Sequence, residues 1–458
     1  MSASFLDRES TVAPAGYDRF SVPPAALAVH LSIGQAYAFS TFNLPLTKLI
    51  GITHSASGDW KLTEVGWTFS IAIAILGLSA ALFGRWVELA GPRKSMFAAA
   101  LCFGGGFIVA AMGVHFHTLS LLYLGYGVLG GIGLGIGYIS PVSTLIKWFP
   151  DRPGMATGMA IMGFGGGALI AAPLSLLLMA HFKTATSPGV METFVTMGVI
   201  YFMFMMIGVY AVRVPAVDWK PAGWVAPVKP RPLVTEAHVA VDVAWKTRQF
   251  WLLWTVLCMN VTAGIGVLGQ ASPMIQEIFS GRVTPEAAGS FVGLLSLFNM
   301  GGRFVWATVS DYIGRRNTYI VFFGLGILLY SSVPTIGHIG SIPLFVAAFA
   351  VILSMYGGGF ATIPAYLRDI FGTMHVGAIH GRLLTAWSVA GVLGPVLVNY
   401  IRQYQIDSGV PKAQAYSVTM YIMCALLLIG LLCNLGMRAV SDKYHHLLGA
   451  SGPAKAAS

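Results

Sequence analysis

Between Glu286 and Arg316 the chain reads EAAGSFVGLLSLFNMGGRFVWATVSDYIGRR, an apolar run of helical length that ends in charges and carries one arginine inside it. Arg303 precedes the closing Asp311 by about 12 Å of helix, which sets it within hydrocarbon about 30 Å thick. An arginine at that depth costs at least about 2.5–3.5 kcal/mol on insertion scales, so it must face a wet cavity or a partner. Ser296, Asn299 and Arg303 fall at spacings of three and four and share one face. All 17 acidic residues lie in tails, loops or at helix ends, so no deep carboxylate is on offer. The expected partner is a ligand, because a guanidinium presents paired donors that match a carboxylate bidentately and Asn299, one turn away, adds a further donor. An arginine satisfied by carbonyls and water is the plainer alternative.

Composition says what positions that face. With 56% hydrophobic and 10% charged residues and a mean hydropathy of +0.74, the chain is far from a soluble domain, where about 25% of residues are charged. Apolar runs fall near 25–46, 64–84, 95–113, 118–143, 154–180, 193–212, 249–272, 287–309, 318–336, 341–366, 379–400 and 415–437, which predicts an all-α protein of twelve transmembrane helices. The first 23 residues lack the layout of a cleaved signal peptide, so the first span is expected to be retained. Both termini in the cytoplasm place Arg85, Arg93, Lys94, Lys147, Arg152, Arg315, Arg316, Arg368 and Arg382 inside, as the positive-inside rule requires. A basic face beside anionic lipid accounts for the net charge of +10 without nucleic acid. The four cysteines show no metal spacing, and no cofactor is expected.

The first span, HLSIGQAYAFSTFNLPL, carries Gln35, Tyr37 and Thr41 and is expected to line a cavity; His30, near its cytoplasmic end, is expected to meet solvent or headgroups, with a proton carrier as the alternative. The fourth and fifth spans are dense in glycine, which lets helix backbones approach closely. Gly131, Gly133 and Gly135 lack the βαβ context of a dinucleotide site. Tyr138 is the large polar side chain there that could reach a central cavity, with plain packing as the alternative. Tyr356 and Phe360, four apart in the tenth span, and Trp387 in the eleventh are further wall candidates, whereas Arg382 is placed to snorkel to the interface.

Glu88 and Asp311, Gly91 and Gly314, Arg93 and Arg316, Pro141 and Pro364, and Gly154 and Gly377 are each separated by 223 residues. The chain is thus an internal duplication of two six-helix halves in the same orientation, the layout of parallel-repeat transporters with a site between the halves. The predicted division is a tail at 1–23, a bundle at 24–213, a Pro-rich linker without its own core at 214–247, a second bundle at 248–438 and a tail at 439–458, ending in the disorder-prone GASGPAKAAS.

The paired loops GRWVELAGPRK and ATVSDYIGRRN resemble the Gly-x-x-x-Asp-(Arg)-x-Gly-Arg-(Arg/Lys) signature of the major facilitator superfamily, with Glu88 for the acid in one copy and Ala307 for the first Gly in the other. The resemblance implies the major facilitator fold and a gate built from Glu88, Arg93, Asp311, Arg315 and Arg316. Within the superfamily, YAFSTFNLPL, YGVLGGIGLGIGY, KWFPDRPGMATGMAIMGFGGGA, GQASPMIQEIF and FNMGGRF resemble the oxalate/formate antiporter family, which is similar to the monocarboxylate (lactate/pyruvate) transporters. In both groups an Arg of the eighth helix binds the substrate carboxylate, and Arg303 matches it. The oxalate antiporter has a Lys in the eleventh helix where Trp387 stands, so one fixed cation remains and a monoanion balances it better than a dianion. Animal monocarboxylate transporters have an Asp and a first-helix Lys at the positions of Asn299 and Thr41, which carry no titratable group here.

The reading is a secondary active transporter, not an enzyme, in the cell (inner or plasma) membrane, working as a monomer on a small monocarboxylate by proton symport. Exchange of carboxylates is the close alternative. A carboxylate-binding membrane sensor is the alternative of another class.

Overall fold

The computed structural model describes residues 4–217, 219–224, 233–235 and 237–445. The linker stretch 225–232 and the tail from residue 446 lie outside the described residues, so the disorder expected of GASGPAKAAS falls there.

Among the described residues eleven helices are long and apolar enough to cross a membrane. They are α2 Leu62–Ala90, α3 Pro92–His115, α4 Leu119–Trp148, α5 Pro153–Phe182, α6 Val190–Ala211, α7 Arg248–Ile278, α8 Pro285–Ile313, α9 Arg315–Ile339, α10 Ile342–Phe371, α11 Val376–Asp407 and α12 Ser417–Leu435. The remaining span, α1, is segmented: a helix Pro23–Ile33, a 3₁₀ stretch Gly34–Phe42 and a last turn Asn43–Leu46. Hydroxyls that compete for backbone carbonyls favour such tightening, and Thr41 Oγ1 donates to the Ala38 carbonyl at 2.8 Å. A Cβ on Gly34 would lie 3.0 Å from Gly167 Cα, so the break sits where α1 and α5 touch backbone to backbone. Within α4, Tyr123–Gly130 is wound as a π-helix.

The halves are α1–α6 and α7–α12, and they meet along two seams, α5 against α8 and α2 against α11. Both seams are made of small residues. A Cβ on Gly158 would lie 2.9 Å from the Arg303 carbonyl oxygen, and one on Gly84 would lie 2.9 Å from Ala378 Cα. Thr157 Oγ1 of α5 donates to the Ala361 carbonyl of α10 at 2.6 Å and Ser388 Oγ of α11 to the Ala74 carbonyl of α2 at 3.0 Å, so hydrogen bonds also join the halves. Among the described residues there is no strand, only two isolated bridges.

The linker is not free of the bundle. Thr235 and Val239 donate backbone N–H groups to the Asp369 and Phe371 carbonyls, and a one-turn helix, Val241–Ala244, follows. Arg382, expected to snorkel into the interface, instead donates to the Val241 carbonyl and the Asp242 carboxylate, both at 2.7 Å. Asp242 also faces Arg85, 3.6 Å away at the end of α2, so one linker carboxylate touches both halves.

Candidate functional site

Arg303 is fully buried where α8 crosses α5. Its Nε donates to Asn299 Oδ1 at 3.2 Å and its Nη1 to the Ile161 carbonyl of the opposite half at 3.4 Å. Nη2 has no hydrogen-bond partner. The guanidinium carbon lies 5.2 Å from the Phe360 ring centre and 5.7 Å from that of Phe164, so aromatic faces take part of the work that water would do. No carboxylate pairs with it among the described residues.

The aromatic residues close a cage around that charge. The Trp387 ring packs tilted against Phe360 at 4.4 Å and edge-on against Phe164 and Tyr138, each at 5.3 Å, and Tyr37 lies 5.1 Å from Phe164. Tyr37 and Tyr356 share a hydroxyl–hydroxyl bond of 3.2 Å that joins the two halves. The Tyr138 hydroxyl and Trp387 Nε1 are buried and make no hydrogen bond, and neither does Arg303 Nη2, so three polar atoms in this cage have unused hydrogen-bonding capacity. Leaving one such group unmet costs about 1–3 kcal/mol, which a ligand that pairs with it would recover.

Of the residues singled out from the sequence, Arg303, Asn299, Tyr37, Tyr138, Tyr356, Phe360 and Trp387 are brought together. Gln35 and Thr41 are not. Gln35 is buried inside the first half, where its Oε1 accepts from the Tyr126 hydroxyl at 2.8 Å, and Thr41 turns back on its own helix. Ser296 likewise donates to the Val292 carbonyl. Phe164 belongs to the cage and had no signal in the sequence, being one more apolar residue in a glycine-rich helix. His30 departs from expectation, since it is fully buried rather than solvated and lies 5.2 Å from the Tyr138 ring.

The signature residues lie at the end of the bundle that carries both chain termini, the terminal end. Asp311, closing α8, accepts from the Gly154 and Met155 backbone N–H groups at 2.9 and 2.8 Å, which are the first turn of α5 in the opposite half. Glu88, closing α2, accepts from the Gly377 N–H at 3.1 Å, in the first turn of α11. Each carboxylate thus sits on a helix N-terminus across the seam, where free N–H groups and the helix dipole favour negative charge. Arg315 supports Asp311 at 2.6 Å and Asp369 at 3.2 Å, while Lys147 supports Glu88 at 2.7 Å. Arg93 and Arg316 do not cross the seam: Arg93 donates to the Phe5 carbonyl of the N-terminal tail and Arg316 to the Leu435 carbonyl of α12. A cavity of about 450 Å³ beside Asp311, Arg315 and Asp369 belongs to this gate and not to the Arg303 cage.

Comparison with known proteins bears on the family and the fold. The chain is 29% identical over 376 residues to the oxalate:formate antiporter of Oxalobacter formigenes, covering 81% of each. It is 25% identical over 385 residues to monocarboxylate transporter 11 of Homo sapiens (80% of this chain, 75% of the relative). Against apicoplast pyruvate carrier 1 of Toxoplasma gondii identity is 24% over 378 residues (71% and 68%). In fold it is similar to the transporter FucP in the outward conformation (TM-score 0.64, 12% identity, 91% of this chain and 98% of that one). It is also similar to a bacterial homologue of ferroportin (TM-score 0.63, 13% identity, 91% and 98%). The family model of the Major Facilitator Superfamily matches residues 20–395. With its two six-helix halves, its crossed carboxylate gate and this match, the chain belongs to the Major Facilitator Superfamily and is a multi-pass membrane transporter.

Proposed function

We propose that the protein carries a small monocarboxylate such as lactate, pyruvate, formate or acetate across the cell membrane by proton symport, with Arg303 holding the carboxylate. The observation that carries this reading is a fully buried guanidinium with an unpartnered Nη2 and no acidic partner among the described residues. A carboxylate entering the cage would take Nη2 and Nη1 bidentately, with the Tyr138 hydroxyl and Trp387 Nε1 as further donors. Its charge would offset that of Arg303, and the apolar walls would fit a short organic tail. Substrate held between α5 and α8 touches both halves, so rocking about the two seams would expose it to either side in turn. Three relatives whose names refer to oxalate, formate, monocarboxylate or pyruvate support an organic anion as cargo. The name of the first of them also favours a second reading, carboxylate exchange.

Uptake of labelled lactate and oxalate into proteoliposomes tests this, with and without an inward proton gradient and with and without trapped carboxylate. Lactate uptake driven by the gradient is the expected result. Uptake that requires a trapped counter-substrate would select exchange instead. Arg303→Ala should abolish uptake while the protein still assembles, and normal transport by that variant would overturn the assignment.

A further inference from the structure

Beside the cage lies a second set of buried polar groups that carboxylate binding does not use. His30 on α1 and His380 on α11 are 0% and 1% exposed and flank the Tyr138 ring, at 5.2 and 5.8 Å, from opposite halves of the molecule. His30 Nε2 lies 3.2 Å from the Tyr138 carbonyl oxygen. A carbonyl only accepts, so Nε2 carries the proton and Nδ1 is left with its lone pair. That Nδ1 has no partner, and neither nitrogen of His380 has one.

The groups that reach the pair are few. Tyr138 lies between the rings, and Arg303 and His380 act on His30 through space. Glu88, near His380 at Gly377, is neutralised by Lys147; Asp369 on α10 is held by Arg315, and Asp242 of the linker by Arg382. Among the described residues no unpaired carboxylate therefore faces either ring, and a proton added to them would repel the Arg303 charge. The site's charge balance changes once an anion is bound. A monoanion cancels Arg303 and leaves no further charge for an imidazole to offset. A dianion leaves one negative charge in a dry cage, where ion interactions are strong and a buried basic nitrogen is the available means of neutralising it.

We infer that His30 and His380 form a proton-binding site whose occupancy follows the charge of the anion on Arg303: a dicarboxylate binds together with one proton more than a monocarboxylate does, taken from water onto an imidazole. The inference rests on Arg303 as the carboxylate site. It makes the number of carboxylates the carrier accepts a function of pH.

The test is calorimetric titration of the purified full-length protein with oxalate and with lactate between pH 5.5 and 8, in buffers of different ionisation enthalpy. Both ligands stay fully ionised over this range. Oxalate should take up about one proton more than lactate does, and its affinity relative to that of lactate should rise up to about tenfold for each pH unit lowered. His30→Gln keeps a donor for the Tyr138 carbonyl, and His30→Gln with His380→Gln should remove the additional proton uptake with oxalate while lactate still binds. Oxalate binding with no more proton uptake than lactate in the wild type overturns the inference, as does an excess that survives in the double variant or lactate binding with no oxalate binding at any pH. Lactate and oxalate binding that both persist in Arg303→Ala would instead overturn the assignment of Arg303 on which it rests.

Discussion

At Arg303 a permanent charge is kept in a nearly dry site by one amide, one carbonyl and two aromatic faces. None of these acceptors or faces carries a formal charge, so the guanidinium stays available to an anion. Arg303→Lys would keep the charge and lose the planar fork, which should raise the KM for lactate about 10- to 150-fold, the equivalent of one charge-assisted hydrogen bond of about 1.5–3 kcal/mol. Uptake kinetics on reconstituted variants measure this; an unchanged KM would mean that charge alone is read. Most of the cage was legible because a polar or aromatic side chain within an apolar run is rare enough to stand out, as Asn299, Tyr138 and Trp387 do. Phe164 was illegible because a phenylalanine in a membrane helix is ordinary. Thr41, a polar residue four after Tyr37 in the first span, would share its face in an α-helix, but Gly34–Phe42 is a 3₁₀-helix. At about 120° per residue instead of 100°, a residue four further on is turned well away, and nothing in the letters announces the change of winding.

The elements are set by where side chains are missing. A Cβ on Gly165 of α5 would lie 2.8 Å from Arg303 Nε and 3.0 Å from its Cδ. Gly165→Ala should therefore push the guanidinium off its present position and raise the KM for substrate several-fold with little loss of protein. A KM equal to wild type in the same uptake assay would show that the side chain can shift without consequence. The glycine density of α4 and α5 predicted close helix contact, and the seams show it, yet the sequence could not say that α5 would meet α8 rather than a neighbour in its own half. That choice depends on contacts between residues more than 100 apart in the chain, such as Arg303 with the Ile161 carbonyl. The linker was legible as proline-rich but not as a strap. Its Asp242 is held below the usual carboxylate range by the hydrogen bond from Arg382, against a small opposing effect of burial and with help from the charges of Arg382, Arg85 and Lys246. A carboxyl depressed in this way holds the strap at every pH above the ordinary carboxylate value and releases it as pH falls through the lowered one. Protease cleavage within 217–247 should accordingly stay slow at neutral pH and accelerate on acidification, and in Asp242→Asn it should be fast throughout.

For the whole molecule, the conformation described is the one with the terminal end shut, and its closure is divided between two carboxylates related by the internal repeat. The 223-residue offset between Glu88 and Asp311 made that symmetry legible from the sequence alone, whereas the contact each acid makes, with the first turn of a helix in the other half, needed the fold. A carboxylate at a helix N-terminus stabilises by up to about 2 kcal/mol when partly buried, so removing one lock should shift the closed-to-open ratio by at most about 30-fold. Single cysteines placed on the seam near Gly158 in Asp311→Asn or Glu88→Gln backgrounds should react faster with a membrane-impermeant thiol reagent applied from the terminal side. Equal rates in both backgrounds and in the parent would mean the locks are dispensable. One bond of the cage bears on the same equilibrium. Arg303 of one half already holds the Ile161 carbonyl of the other, so the empty carrier is its own competitive ligand. Every carboxylate must displace the same carbonyl, a toll common to all cargoes, and discrimination among them is left to the walls that surround the displaced bond.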